Sequence, residues 1–219
     1  MQSDLKMFNE FVVGGQPSAL QIYSWQPKCI SYGYAQDIEN ELAVKEAKQL
    51  GWDIVKRPTG GGIVFHNEAE VTYSLVTEID NPKLPNGLVP AYKKISEAVV
   101  FALRSLGVEA GIREQKVERR ALNVGLCFSY PAEYEIVVNN LKIVGSAQKR
   151  GKRALLQQGS IFVRNMSFDE LALLKKPGQE YNSVSVEEVL GREVDFDELS
   201  QALIKGFHEV LCIDFGTRD

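Results

Sequence analysis

Between residues 91 and 106 the apolar side chains Ile95, Ala98, Val99, Ala102, Leu103 and Leu106 recur at spacings of three and four. That is the period of one helical face, and it predicts a helix over 91–106 that Gly107 ends. Leu199, Leu203, Phe207 and Val210 form a second stripe and predict a last helix from Phe196 to about Leu211. Ser167 with Glu170, Ser185 with Glu188, and Asp195 with Glu198 have capping-box spacing, each ahead of a short apolar run. A short helix is predicted over residues 2–13. Another is predicted from an Asp37 cap to Leu50, with Ile38, Leu42 and Leu50 on one face and Gly51 closing it.

Strict alternation marks the strands. Val71, Tyr73 and Leu75 alternate with Thr72, Ser74 and Val76, the pattern of a half-buried strand. Leu20–Trp25 and Cys29–Tyr34 read as strands with Gln26-Pro27-Lys28 as the turn between them. Short strands follow at Asp53–Lys56 and Gly62–His66. Glu133–Val138 and Leu141–Ser146 flank Asn139-Asn140, and because Asn tolerates positive φ this pair predicts a two-residue hairpin turn. Leu155–Val163 is a further strand. Residues 113–126, charged from Arg113 to Arg120, read as a mobile surface loop. The fold class predicted is α+β, a mixed and mostly antiparallel β-sheet with flanking helices.

Composition narrows the function classes. The chain has 219 residues, 44% hydrophobic and 25% charged, enough to bury a core without staples. Its net charge of −4, without long Lys/Arg runs, disfavours nucleic-acid binding. The three cysteines, Cys29, Cys127 and Cys212, make neither a disulfide framework nor a CxxC pair, which points to a reducing compartment. Neither a membrane-length apolar run nor a signal-peptide core is present, so a cytoplasmic protein is expected. Two histidines and scattered cysteines form no metal-ligand cluster.

Four places could carry chemistry. In Arg57-Pro58-Thr59-Gly60-Gly61-Gly62-Ile63-Val64-Phe65-His66, three glycines give up side-chain packing, which a fold tolerates where backbone turns sharply or approaches a ligand. A ligand-free glycine hairpin fits the residue types equally well. Lys142 interrupts an apolar strand, and it either snorkels from an edge or points into a site. Gly145-Ser146-Ala147 leaves room for a thin ligand chain, or else marks a tight sheet crossing. Cys127 could serve as a nucleophile toward a thioester if a cation such as Lys142 lowers its pKa; an inert, half-buried cysteine is the plainer reading. His66 is a base, an orienting donor or a packed residue, and His208 a surface or cap residue. Cys29 and Cys212 both read as core. No GxSxG elbow is present, so a Ser-His-Asp arrangement is not expected.

The Arg57–His66 block resembles the R-x-x-G-G-G-x-V-[FY]-H signature of the biotin/lipoate protein ligase and octanoyltransferase superfamily. Lys142-Ile143-Val144-Gly145-Ser146-Ala147 is similar to its K-[IV]-x-G-[SA]-A motif, and Gln158-Gly159-Ser160-Ile161 to its [HQ]-G-[ST]-[IL] motif. Tyr23-Ser24-Trp25 and Ser31-Tyr32-Gly33-Tyr34-Ala35-Gln36 resemble its early strands. The resemblance spans nearly the whole chain. It implies a single ligase-type catalytic domain over residues 1–219, lacking a strand ahead of the first helix and the ligases' C-terminal accessory domain. It also implies a site of Arg57, Gly60, Gly61, Gly62, His66, Gly145, Ser146, Ala147, Gly159 and Ser160 around catalytic Lys142 and Cys127.

Two subclasses compete. The passage from Cys127 through Gln148 is most similar to the cysteine-dependent octanoyltransferases, which take octanoyl from acyl carrier protein onto a cysteine and pass it to a lysine without a cofactor. The alternative is a lipoate–protein ligase A, which uses ATP and Mg to form lipoyl-AMP. A third reading is a non-catalytic lipoyl- or biotin-binding subunit. The partners implied are octanoyl-acyl carrier protein and the lipoyl domains of 2-oxoacid dehydrogenases or the glycine cleavage H protein. A monomer is expected, with no nucleic acid or membrane partner.

Overall fold

A computed structural model of the chain describes residues 2–14, 17–114, 134–164, 168–175 and 182–213. Helix α1 (Gln2–Gly14) leads into strands β1 (Ala19–Tyr23) and β2 (Cys29–Tyr32), then the short helices α2 (Ile38–Glu41) and α3 (Val44–Gln49). Strands β3 (Asp53–Lys56), β4 (Val64–His66) and β5 (Glu70–Glu78) precede helix α4 (Leu88–Ser105). Strands β6 (Gly111–Ile112), β7 (Ile136–Val138), β8 (Leu141–Arg150) and β9 (Ala154–Phe162) follow. A 3-10 turn (Phe168–Leu173) and helices α5 (Val186–Leu190) and α6 (Phe196–Leu211) complete the described chain.

The large sheet has the order β1-β5-β9-β8-β7-β6 and is antiparallel throughout. A small sheet has the order β3-β2-β4, with β2 parallel to β3 and antiparallel to β4. This is the mixed, mostly antiparallel α+β architecture that the sequence predicts. One face of the large sheet packs on α4 and α6, where Val71, Tyr73, Leu75, Leu155 and Ile161 join Ile95, Val99, Leu103, Leu199 and Phe207 in the main core. The other face is covered at one end by α1, whose Phe8 and Phe11 meet Val76, Ala154 and Leu156. Its other end lies under the small sheet. That sheet turns Ile30 and Phe65 outward to Leu42, Ala47, Trp52 and Leu173. Its Ser31 and His66 face the large sheet, with His66 bonded to Glu70 of β5.

The helices with strong periodicity fall where expected. Helix α4 begins a turn earlier than its apolar stripe, and Gly107, at φ +97, follows it. Ser185 and Glu188 form both halves of a capping box, and Asp195 accepts from the Glu198 amide. The Asn139-Asn140 turn is also present, with φ 49 and 67. The Ser167–Glu170 cap and most of the 113–126 loop lie outside the described residues.

The turn at Gln26-Pro27-Lys28 lies between β1 and β2 as expected and carries the chain from one sheet to the other, since β1 pairs with β5 and β2 with β3 and β4. Three expectations need correction. The helix expected from Asp37 to Leu50 is two helices. Leu42 leaves the helical path to bridge Leu174, the Ala43 amide bonds to the Leu173 carbonyl, and the Asp37 side chain makes no cap bond. Strand β5 is buried on both faces, not one. Cys212 is exposed at the left-handed end of α6, while Cys29 is buried as expected.

Candidate active site between the two sheets

The glycine run follows β3 and folds against the strand end at Gly33. A Cβ on Gly33 would collide with the Gly61 carbonyl, and the Tyr34 amide donates to the Thr59 carbonyl at 3.1 Å. Gly61 has φ +98, a left-handed value that favours glycine. Arg57 binds the loop from within: its Nη2 donates to the Gly60 carbonyl at 3.2 Å and to the Gly62 carbonyl at 2.6 Å. The guanidinium thus holds the loop's shape as well as lending charge.

The polar side chains between the sheets converge on one carboxylate. Arg57 Nη1 donates to Ser31 Oγ at 2.6 Å, and Ser31 Oγ lies 2.5 Å from His66 Nε2. Arginine can only donate, so the Ser31 hydroxyl is free to pass its own proton to Nε2. The imidazole then carries its proton on Nδ1, which meets Glu70 Oε1. Thr72 donates to the same oxygen at 3.0 Å, and Ser160 donates to Oε2. Trp25 Nε1 donates to Thr72 Oγ1 at 2.8 Å, and its ring stacks on His66 with centroids 4.2 Å apart. Glu70, His66 and Ser31 are all buried. A Ser-His-Asp arrangement is not expected from the motifs, yet Ser31-His66-Glu70 forms a Ser-His-carboxylate chain. Ser31 is held by Arg57 and does not reach the cavity wall, so the chain clamps one sheet to the other.

A second clamp starts from α1. Buried Asp4 accepts from Tyr23 Oη at 2.8 Å and from Gln158 Nε2 at 2.9 Å, and Thr59 donates to Gln158 Oε1 at 3.2 Å. Burial, reinforced by Asp4, pushes the Tyr23 hydroxyl above the usual tyrosine range. Burial, with Asp53 adding to it, pushes the Cys29 thiol up to about 12, so that cysteine stays protonated and inert.

Lys142 is neither an edge residue nor exposed: it is fully buried and ion-paired with Glu135. The pairing of β7 with β8 shifts register so that Ile136 faces Val144 and Val137 faces Lys142, leaving Ile143 as an extra residue. Ile143 and Val144 both enter the main core. The bulge therefore reverses the alternation and puts Lys142 on the opposite face, with Glu135, Val137, Gly145 and Ala147.

A cavity of about 40 Å³ lies between the two sheets. Arg57, Gly60 and His66 line it from the small-sheet side; Gly145, Ser146, Ala147, Gly159 and Ser160 line it from β8 and β9. These eight predicted residues, drawn from three separate motifs, meet at one place. Gly61 and Gly62 are not on its wall, because one packs toward Gly33 and the other caps Arg57. Lys142 is not on it either, because it sits three residues further along β8, or roughly 10 Å. Ser146 turns its hydroxyl to the other face of the sheet, where it bonds Tyr73 Oη at 2.9 Å. Gly159 is required by that same ring, which a Cβ would strike. Cys127 lies outside the described residues. A larger groove of about 700 Å³ runs beside α4, β6 and the end of α6, but it is bordered by Lys94, Glu97, Arg104 and Glu209 and by none of the predicted site residues.

Trp25, Thr59, Thr72 and Gln158 also line the cavity, Ser31 and Glu70 support it through His66, and Glu135 pairs with Lys142. One signal was available for Glu70 and Thr72: they alternate with Val71 and Tyr73, so they share the face that β5 does not give to α4 and α6. Among the described residues no group of His, Cys, Asp or Glu side chains is arranged to hold a metal ion. Nor is any helix among them long and apolar enough to cross a membrane.

An α+β scaffold with a glycine-bordered slot and a buried lysine on the same sheet face is the equipment of a group-transfer enzyme. The chain matches the model of the lipoyl protein ligase A/B catalytic domain over residues 1–208 and belongs to that family. It is 34% identical to octanoyltransferase LipM of Moorella thermoacetica, over 98% of this chain and 82% of the relative. It is 32% identical to octanoyltransferase LipM of Clostridioides difficile, over 98% of this chain and 83% of the relative. Among solved structures, lipoate-protein ligase A bound with ATP superposes with a TM-score of 0.81 at 28% identity, covering 98% of this chain and 81% of that one. The bi-partite lipoate protein ligase of Thermoplasma acidophilum with its E2 lipoyl domain superposes with a TM-score of 0.76 at 25% identity, covering 98% and 79%.

Proposed function

We propose that this protein is an octanoyltransferase of lipoate assembly. It takes octanoyl from acyl carrier protein onto Cys127 and passes it to the lysine of a lipoyl-carrier domain, in the cytoplasm. The observation that carries this reading is the burial of Lys142 on the sheet face that also floors the slot with Gly145 and Ala147. Two relatives matched over 98% of the chain and named as octanoyltransferases support the choice of octanoyl. The motif running from Cys127 into β7 and β8 supports the choice of nucleophile.

In the first step the Cys127 thiolate attacks the thioester carbonyl of octanoyl carrier protein. A carbon–sulfur bond forms to Cys127, the bond to the carrier's thiol breaks, and the proton released by Cys127 ends on that thiol. Lys142 polarises the carbonyl and stabilises the oxyanion. In the second step the neutral amine of the acceptor lysine attacks the acyl-enzyme, an amide forms, and the thiol of Cys127 is restored. This is ping-pong chemistry. The acyl group arrives already activated as a thioester, so the reaction consumes no nucleotide. The slot measures about 40 Å³, so an eight-carbon chain extends beyond it. Burying that chain contributes roughly 5 kcal/mol at about 0.8 kcal/mol per methylene.

The test is an acylation assay on a lipoyl domain under two supplies. Octanoyl carrier protein without ATP is expected to modify the domain, and free octanoate with ATP and Mg is not. The reverse result makes the protein a ligase. No modification under either supply leaves only a binding role.

A further inference from the structure

An ammonium stripped of water must find an anion or lose its proton, which makes a fully buried lysine expensive to keep charged. Lys142 is paired with Glu135, which is itself 6% exposed. Local features of the backbone hold this pair where it is. Tyr134, the residue before Glu135, takes φ +68, which is uncommon outside glycine. The Tyr134 amide donates to the Arg113 carbonyl at 2.8 Å, and the Arg113 amide donates to the Glu135 carbonyl at 2.9 Å. The left-handed turn at Asn139-Asn140 sets Val137 opposite Lys142, and the bulge at Ile143 turns Lys142 to the face that carries Glu135. On its far side the Lys142 backbone is fixed again: its amide donates to the Asn182 carbonyl at 3.1 Å, and its carbonyl accepts from the Val184 amide at 3.0 Å. A strained residue, a tight turn and a bulge thus flank one ion pair, three residues along β8 from the slot at Gly145.

We propose that Glu135 is a positioning residue for acyl transfer: its carboxylate fixes the Lys142 ammonium on the sheet face that it shares with Gly145 and Ala147 and keeps it charged as the oxyanion forms. This rests on the reading of Lys142 as the carbonyl-polarising group. A pair kept only for structure would be replaced by an uncharged isostere at no cost to the chemical step. A positioning pair would not.

The experiment is single-turnover and steady-state octanoyl transfer from octanoyl carrier protein by the full chain, using Glu135→Gln, Glu135→Asp, Lys142→Met and the Glu135→Gln/Lys142→Met double variant. Glu135→Gln is expected to lower kcat by about 10–100-fold, the usual cost of losing a group that orients a reactive one, with KM for the carrier changed little. Glu135→Asp is expected to recover part of that loss. Lys142→Met is expected to lose at least about 100-fold, as for an oxyanion donor, and adding Glu135→Gln to it should cost almost nothing more. Wild-type kcat in Glu135→Gln beside an inactive Lys142→Met overturns the inference and leaves the reading of Lys142 standing. A full additional loss in the double variant also overturns the inference, since it assigns Glu135 a role apart from the lysine. An active Lys142→Met sinks the reading itself. Should Glu135→Gln fail to fold, Glu135→Asp decides: reduced kcat at unchanged KM supports the proposal, and wild-type kcat overturns it.

Discussion

On one face of the large sheet, Val71, Tyr73, Leu75, Leu155 and Ile161 meet α4 and α6 through apolar contact. On the other face of the same strands, Glu70, Thr72, Gln158 and Ser160 meet the small sheet and α1 through hydrogen bonds. Both faces are buried, and they are bound together by different physics. Apolar burial is non-directional and tolerates exchange of one side chain for another of similar volume. The polar face is directional, because Arg57, Ser31, His66, Thr72 and Ser160 each depend on the placement of a partner, and their bonds run toward Glu70.

The comparison breaks most severely at Glu70. Glu70→Ala leaves His66, Thr72 and Ser160 without their shared acceptor, and each buried polar group left unpaired costs about 1–3 kcal/mol. The midpoint in urea should fall accordingly, and transfer activity should fall further than the loss of folded protein explains. Leu103→Ala, on the apolar face, is the matching control. Leu103 is fully buried, and its truncation should cost about 2–5 kcal/mol, yet activity per folded molecule should stay at wild type. Equal activity losses in both variants would erase the distinction between the faces.

Smaller changes sharpen it. Gly159→Ala drives a methyl into the Tyr73 ring, at about 1–3 kcal/mol for an overpacked core. Gly159 is a motif residue, but its constraint comes from the apolar face, so KM in the surviving enzyme should change little. The smallest effect is alkaline. Burial raises the Cys29 thiol to about 12 and also raises the Tyr23 and Tyr73 hydroxyls. In each case the folded state holds a proton that the unfolded chain gives up first. The stability linked to these groups is complete below their ordinary pKa values and is lost as pH climbs through the raised ones. Thermal midpoints should therefore decline from about pH 9 upward, and Cys29→Ala should flatten the first part of that decline.

The apolar face was legible because its period is local: α4 and α6 announce themselves within one stripe, and Asn139-Asn140 states its turn in two residues. The polar face was not. Thr72 and Ser74 read as the polar side of a half-buried strand and Glu70 was not singled out, since nothing nearby says that a second sheet will cover them. The same blindness ran one helix through Leu42, whose partner Leu174 lies far along the chain. At the site, chemistry was readable from residue types, and Arg57, Gly60, His66, Gly145 and Ser160 converge as the motifs implied. The groups that hold them, Ser31 and Glu70, reach Arg57, His66 and Ser160 largely across long separations, 26 residues from Ser31 to Arg57, 35 from Ser31 to His66 and 90 from Glu70 to Ser160, with the His66–Glu70 step of four residues the local one among these.

The central claim, that the acyl group passes through a thioester on this chain, is tested most directly by intact mass. After brief mixing with octanoyl carrier protein and no acceptor, the protein should gain the mass of one octanoyl group, lose it on addition of a lipoyl domain, and gain nothing as Cys127→Ser. An adduct of the same size on Cys127→Ser, or octanoylated lipoyl domain produced by that variant at the wild-type rate, would contradict it.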